Sequence, residues 1–343
     1  MERLLHHLIR RRLIGIVGLG IVLAPWAALA WGASGHRMIG ELAAESLPDG
    51  LPSFLKTPDI VAAIGETSRE PDRWRDSGRT HDTDHDPAHF LDLGDDGKVL
   101  GGPELSALPP TRAGYEAALE AVGAQSWKAG YLPYAIIDGY QQLAKDFAYW
   151  RVETAALEKV ANPAHRAWMT ADRKTREAII VRDLGVLSHY VGDGSQPLHV
   201  TVHYNGWGAY PNPQGYTTDR IHIPFEGPFV FLHVTKAMVR GDMTPAQAPT
   251  TPIAAWTSAY LAHTASEVVP LYDLYKSGGF SAHPTHGEAF AAARLAEGAS
   301  ALRDLIIGAW RDSRDDEVGY PGVSLASVTA QGLDPYDSLY GQD

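Results

Sequence analysis

Thr175 to His199 reads TREAIIVRDLGVLSHYVGDGSQPLH. Ile179, Ile180, Leu184, Leu187, Tyr190 and Val191 recur at the three- and four-residue intervals of a helix with one apolar face. The spacing predicts a helix over Thr175–Asp193, and Pro197 just beyond it discourages continuation. His189 and Asp193 stand four apart near its end and share a face. His199, in the following turn, can approach that face from outside.

The same periodicity extends in both directions. His36 to Leu47 and Arg112 to Val122 are amphipathic, and Tyr134 to Ala161 is a long helical pattern behind Pro133. Ile253 to Lys276 and Glu288 to Trp310 read as two closing helices. Between them lie turn-rich loops: Thr80 to Pro87, dense in Asp and His, and Asn205 to Gly215, rich in Gly, Asn and Pro. No strand series and no internal repeat is visible, so the expected fold is all-α, one multi-helix domain over residues 31–318. Residues 319–343 lack strong periodicity and are expected to form a C-terminal tail.

Residues 1–30 read as a cleaved signal peptide. Arg10, Arg11 and Arg12 form a basic start, Leu13 to Leu23 an apolar stretch too short for a bilayer span, and Ala28-Leu29-Ala30 an A-x-A cleavage signal. The expected product is exported, periplasmic or secreted; the double arginine leaves a twin-arginine route open. The formal net charge is −12, so the chain has no general basic footprint for polyanions. There is no cysteine, which excludes disulfides and thiolate metal sites. Any metal must rest on His, Asp, Glu or backbone, and 15 histidines make that feasible.

His222 and Glu226 repeat the four-residue spacing of His189 and Asp193. One such pair is a common surface feature. Two pairs with a bridging His make a plausible zinc nest, because zinc takes imidazole and carboxylate readily. Trp31-Gly32-Ala33-Ser34-Gly35-His36 follows the expected cleavage site directly. That placement, with H-x3-D-x5-H and a later H-x3-E, resembles the superfamily of zinc-dependent phospholipases C and single-strand-specific S-one/P-one nucleases. The likeness runs from Trp31 to about Glu226 and weakly into Arg294-Leu295-Ala296.

The resemblance implies an all-helical hydrolase of phosphoric esters with three zinc ions in a cleft. Trp31, through its freed amine and carbonyl, and His36 would hold one zinc. Asp72, His89 and His189 would hold a second, with Asp193 shared between the two. His199, His222 and Glu226 would hold the third. Asp72 and Asp193 would thereby serve catalysis, by a hydroxide shared between two zinc ions. His81, Asp82, Asp84, His85 and Asp86 are rival ligands; His89-Phe90-Leu91-Asp92 matches the family's H-F-x-D and favours His89. No serine or cysteine nucleophile signature competes.

The substrate signals are mixed. The Trp31-to-His36 gap and Arg75, three after Asp72, resemble the nucleases, where such an arginine steadies the transition state. Phe90 could stack on a base and Asp92 accept from an exocyclic amine. Glu226 and Pro213-Gln214-Gly215-Tyr216 resemble the phospholipases instead, yet the choline-boxing positions carry Ser34, Arg73 and Asp86 rather than aromatics. The expected substrate is therefore single-stranded nucleic acid or nucleotides, with phospholipid as the alternative. A non-catalytic zinc-binding protein is the remaining reading, disfavoured because storage sites are normally closed.

Overall fold

The computed structural model describes residues 31–75 and 85–341. The expected leader and the rival ligands His81, Asp82 and Asp84 lie outside the described residues. The main helices are α1 (Gly32–Glu45), α2 (Pro58–Thr67), α3 (Arg112–Glu120), α4 (Leu132–Lys159), α5 (Pro163–Ser195), α6 (Ile253–Ser266), α7 (Val268–Lys276) and α8 (Pro284–Asp312). Among the described residues there is no strand, only isolated backbone bridges. The fold is all-α, as the periodicity indicates.

Helix α5 is the axis of the molecule. It packs along α4 and also against α1, α2 and α8. Its C-terminal half, from Ile180 to Ser195, is almost wholly buried, so the end that carries His189 and Asp193 sits in the core. The helix begins twelve residues before the periodic stretch. Asn162 caps it, its side chain accepting from Ala164 N at 2.9 Å, and Pro163 fits the first turn without losing a bond. The intervening residues hold few large apolar side chains, Trp168 and Met169 alone among them, so apolar periodicity alone does not reveal them. Close approach brings α2 onto α5: a Cβ on Gly185 would lie 2.1 Å from Thr67 Oγ1.

The closing region differs from the single helix expected over Ile253–Lys276. The chain breaks at Glu267 and restarts as α7, whose third residue is Pro270. Proline has no N–H to continue a ladder but is tolerated in a first turn. The C-terminal segment is also more ordered than its weak periodicity suggests. Leu325–Gln331 and Tyr336–Tyr340 are helical. Val318, Val323 and Val328 build a second small core with Val152, Ala156 and Met169 of the α4–α5 hairpin. His165 fastens the far end, stacked 3.8 Å from the Tyr336 ring with its Nδ1 2.7 Å from Asp334 Oδ2.

Candidate metal centre

Four chain segments converge at the buried end of α5. The first is α1, which carries His36. The second is Glu70–Arg73, a single turn bearing Asp72. The third is Asp86–His89, whose following residues are gripped on both sides: Leu91 N donates to His199 O at 2.8 Å and Asp92 N to Ala129 O at 2.8 Å. The fourth runs from His222 to His233 and contains a π-turn at Phe225–Phe229. Pro228 lies inside that turn and cannot donate to the carbonyl four residues back, which favours the wider winding. The turn still leaves His222 Nε2 2.8 Å from Glu226 Oε2.

These segments, together with the end of α5 and the Pro197–His199 turn that follows it, assemble three groups: His36, His189 and Asp193; Asp72, His89 and His189; and His199, His222 and Glu226. Within each, the candidate donor atoms lie within 4.8 Å of one another. Asp193 faces two ways. Its Oδ1 is 3.5 Å from His36 Nε2, while Oδ2 is 3.0 Å from His89 Nδ1 and 3.3 Å from His189 Nε2. His189 Nε2 also stands 2.9 Å from His89 Nδ1 and 3.9 Å from Asp72 Oδ1.

The outer hydrogen bonds decide what these atoms can do. His189 Nδ1 faces Ser68 O at 2.7 Å, His199 Nδ1 faces His89 O at 2.6 Å, and His222 Nδ1 faces Tyr204 O at 2.9 Å. A carbonyl oxygen carries no proton, so each Nδ1 must donate and each neutral ring keeps a lone pair on Nε2. The lone pairs of His199 and His222 then point at each other across 3.0 Å, with Glu226 Oε2 completing the triangle. At most one proton fits between them, whereas a divalent cation satisfies all three atoms. Gln196 Nε2 donates to Glu226 Oε2 at 3.0 Å and orients it.

Burial makes protonation a poor substitute for a cation. It drives His89 well below its ordinary value and lowers His189 despite the nearby Asp72 charge. It pushes Asp193 well above the carboxylate range and Asp72 up to about 6. Glu226 goes the other way: burial opposes ionisation, yet His222 and His199 hold it down to about 2. Buried Asp72 Oδ1, His89 Nε2, Asp193 Oδ1 and Glu226 Oε1 make no hydrogen bond. Crowded neutral nitrogens, carboxylates and orphaned buried atoms form a donor set that fits zinc.

The remaining predicted residues fall around this nest. Trp31 is buried beside it, its indole N–H donating to Gly192 O at 2.8 Å and Ser195 Oγ at 2.9 Å. Its side chain is thus a core anchor, outside the three donor groups. Arg75 lines an open cleft of about 510 Å³ together with Phe90, Asp92 and the candidate metal donors His89, His199 and His222. Arg75 Nε donates to Asp86 Oδ1 at 2.5 Å, and Nη1 lies 3.7 Å from Asp72 Oδ1. Burial raises the Asp92 carboxyl to about 7. His85 is exposed, with its ring 6.1 Å from that of Trp74. Sequence reasoning passed over Trp127, Lys128, Tyr204 and Asn205, which also line the cleft. Their apolar or polar character carries no spacing signal, and only the fold brings them there.

No protein-family model matches this chain, and no curated protein matches it. Among solved structures it is similar to the alpha toxin from Clostridium absonum, at 13% identity and a TM-score of 0.43 over 83% of this chain and 67% of that one. It is also similar to the Clostridium perfringens alpha-toxin isolated from avian strain SWCP, at 14% identity and a TM-score of 0.40 over 85% and 68%. Both likenesses are loose, and the chemistry of the site stands on the residues above.

Proposed function

We propose that the chain is an exported, zinc-dependent phosphodiesterase of the superfamily of zinc phospholipases C and single-strand-specific nucleases, acting on single-stranded nucleic acid or nucleotides. The observation that carries this is the convergence of the His199 and His222 lone pairs on Glu226, with both Nδ1 protons committed to backbone carbonyls. In this reading His36 and Asp193 hold one zinc with the Trp31 terminus, which becomes a free amine when the leader is removed. Asp72, His89 and His189 hold a second and share Asp193; His199, His222 and Glu226 hold the third. Among the described residues no helix is long and apolar enough to cross a membrane.

Zinc, when bound, supplies Lewis acidity and lowers the pKa of water from about 15.7 to near 7. The chain's own groups do the rest. Arg75, aimed by Asp86 and Asp72, presents a guanidinium fork to phosphoryl oxygens and offsets the charge that builds on them. Phe90 offers a ring face to a base. Asp92, near 7, has both a donating and an accepting form at neutral pH, suited to a base edge. Phospholipid is the second reading, favoured by Leu100 and Leu198, which give the cleft an apolar stretch.

Initial rates on bis-p-nitrophenyl phosphate, single-stranded DNA, RNA and mixed phospholipid vesicles at equal zinc loading test this. Turnover of the simple diester and of single strands is expected, abolished by a chelator and restored by zinc. Turnover of lipid alone would transfer the assignment to the second reading, and a zinc-loaded protein inert on every diester would end both.

A further inference from the structure

One histidine outside the three donor groups is as deeply buried as the histidines within them. His203 is 1% exposed, and both of its ring nitrogens face oxygens. Nδ1 lies 2.8 Å from Trp207 O, and Nε2 lies 3.0 Å from Asp95 Oδ1. A carbonyl oxygen and an ionised carboxylate only accept, so the ring satisfies both when each nitrogen carries a proton. Such a ring is a cation, and it lies flat on the Trp207 indole, 3.8 Å between centroids at 12°. An aromatic face is a favourable seat for a cation withdrawn from water. The Tyr210 ring meets it edge-on at 4.9 Å. With both nitrogens engaged, His203 offers no lone pair to a metal.

This knot ties together three stretches of chain. Asp95 lies on the stretch that carries Phe90 and Asp92. That stretch already runs beside the turn after α5, through Leu91 N to His199 O at 2.8 Å and Val202 N to Leu93 O at 3.0 Å. Trp207 belongs to the loop rich in Gly, Asn and Pro, where its backbone N donates to Thr217 O at 2.8 Å and its indole to Pro211 O at 2.8 Å. His203 is held from behind by Tyr272 of α7, whose hydroxyl donates to His203 O at 2.6 Å. Only Tyr204, Asn205 and Gly206 separate His203 from Trp207, so the bond from His203 Nδ1 to Trp207 O closes a tight loop around them. Gly206 takes φ +92° there, and a Cβ on it would lie 2.6 Å from Asp219 O. The first two residues of that loop are the ones that grip His222. Tyr204 O accepts from His222 Nδ1 at 2.9 Å, and Asn205 Oδ1 accepts from His222 N at 3.3 Å.

We propose that His203 and Asp95 are positioning residues for the third zinc. The Asp95–His203–Trp207 knot fixes the loop whose Tyr204 carbonyl and Asn205 side chain aim His222 at Glu226 and His199. The proposal rests on the zinc reading above. It adds two residues that lie outside the donor groups and outside the cleft wall, and that act through Tyr204 and Asn205.

Asp95 gives the clean test, because its side chain is 65% exposed and its loss opens no hole in the core. The readouts are zinc affinity, by competition with a fluorescent chelator, and zinc count, by native mass spectrometry. Asp95→Ala should weaken one zinc of the three roughly 10-fold, the lower end of what a lost orienting partner costs, and leave the other two unchanged. Asp95→Asn should recover most of that loss, since its amide oxygen still accepts from Nε2–H and its amide N–H can donate to a bare Nε2. In a His222→Ala background, which lacks the oriented ligand, adding Asp95→Ala should change nothing further. An Asp95→Ala protein that holds every zinc as the wild type does would overturn the proposal. So would an Asp95→Asn protein as impaired as the alanine variant, or an undiminished effect in the His222→Ala background. A wild-type protein that binds no zinc would end the zinc reading and this proposal together. Zinc-replete wild type beside an indifferent Asp95→Ala ends the proposal alone.

Discussion

His222 and His199 each commit one ring nitrogen to a backbone carbonyl, and that choice turns the other into a metal donor. Gln196 performs the matching task for Glu226. Gln196→Leu should therefore weaken the third zinc roughly 10- to 100-fold, the usual effect of losing an orienting partner, read by competition with a fluorescent chelator. His189→Ala should lose zinc and activity together, whereas His85→Ala, at an exposed ring, should keep both. Asp72 gives a pH dependence. Its folded pKa of about 6 lies above its unfolded value near 3.9, so protonation is favoured in the fold and competes with metal. The apparent zinc affinity should begin to weaken as pH falls below about 6, and an affinity equal at about pH 7 and pH 4 would contradict this. The candidate ligands His189, Asp193, His222 and Glu226 were legible because His and carboxylate at four-residue spacing is a pattern in the chain itself. The carbonyls of Ser68, His89 and Tyr204 were not, because any residue could supply them and only folded geometry selects these.

The α4–α5 hairpin supports the nest from behind and contains the least expected group in the molecule. Glu153 is fully buried on α4, and neither carboxylate oxygen makes a hydrogen bond. Burial first, and then Asp172 nearby, raises its pKa to about 9. A carboxyl raised in the fold contributes stability that is complete below its unfolded pKa near 4.3 and is lost as pH rises through about 9. This group's contribution to the wild-type melting temperature should thus fall between about pH 5 and 9, and Glu153→Gln should flatten that fall because it cannot ionise. Equal slopes for the two proteins would refute the assignment. At this scale the sequence located helices well where one face is apolar, as along Ile179–Val191. It missed the start of α5, where the cap at Asn162-Pro163 replaces hydrophobic periodicity. It also missed the break at Glu267 and the winding at Phe225–Phe229, where prolines decide the backbone. The ordered C-terminal segment escaped notice because its few valines act only by docking on α4 and α5.

Across the whole molecule, the centre draws residues from α1, the Asp72 turn, the His89 turn, the end of α5 with the His199 turn beyond it, and the His222 turn. These five regions are separate in the chain. Metal bound there joins segments that the unfolded chain does not preorganise, so its binding energy adds to folding stability. It would also place positive charge inside an acidic protein, which under the proposed function would let a net −12 chain accept an anionic substrate in its cleft. Trp31, the first residue of the expected processed chain, is anchored by its indole against the end of α5. The most direct measurement is the zinc content of the processed protein beginning at Trp31, by native mass spectrometry, with the melting temperature recorded before and after chelation. About three zinc ions per chain are expected, about two when an extra residue precedes Trp31, and a clear drop in melting temperature on removal. A correctly folded processed chain that takes up no zinc, and melts at the same temperature with and without chelator, would contradict the trinuclear centre outright.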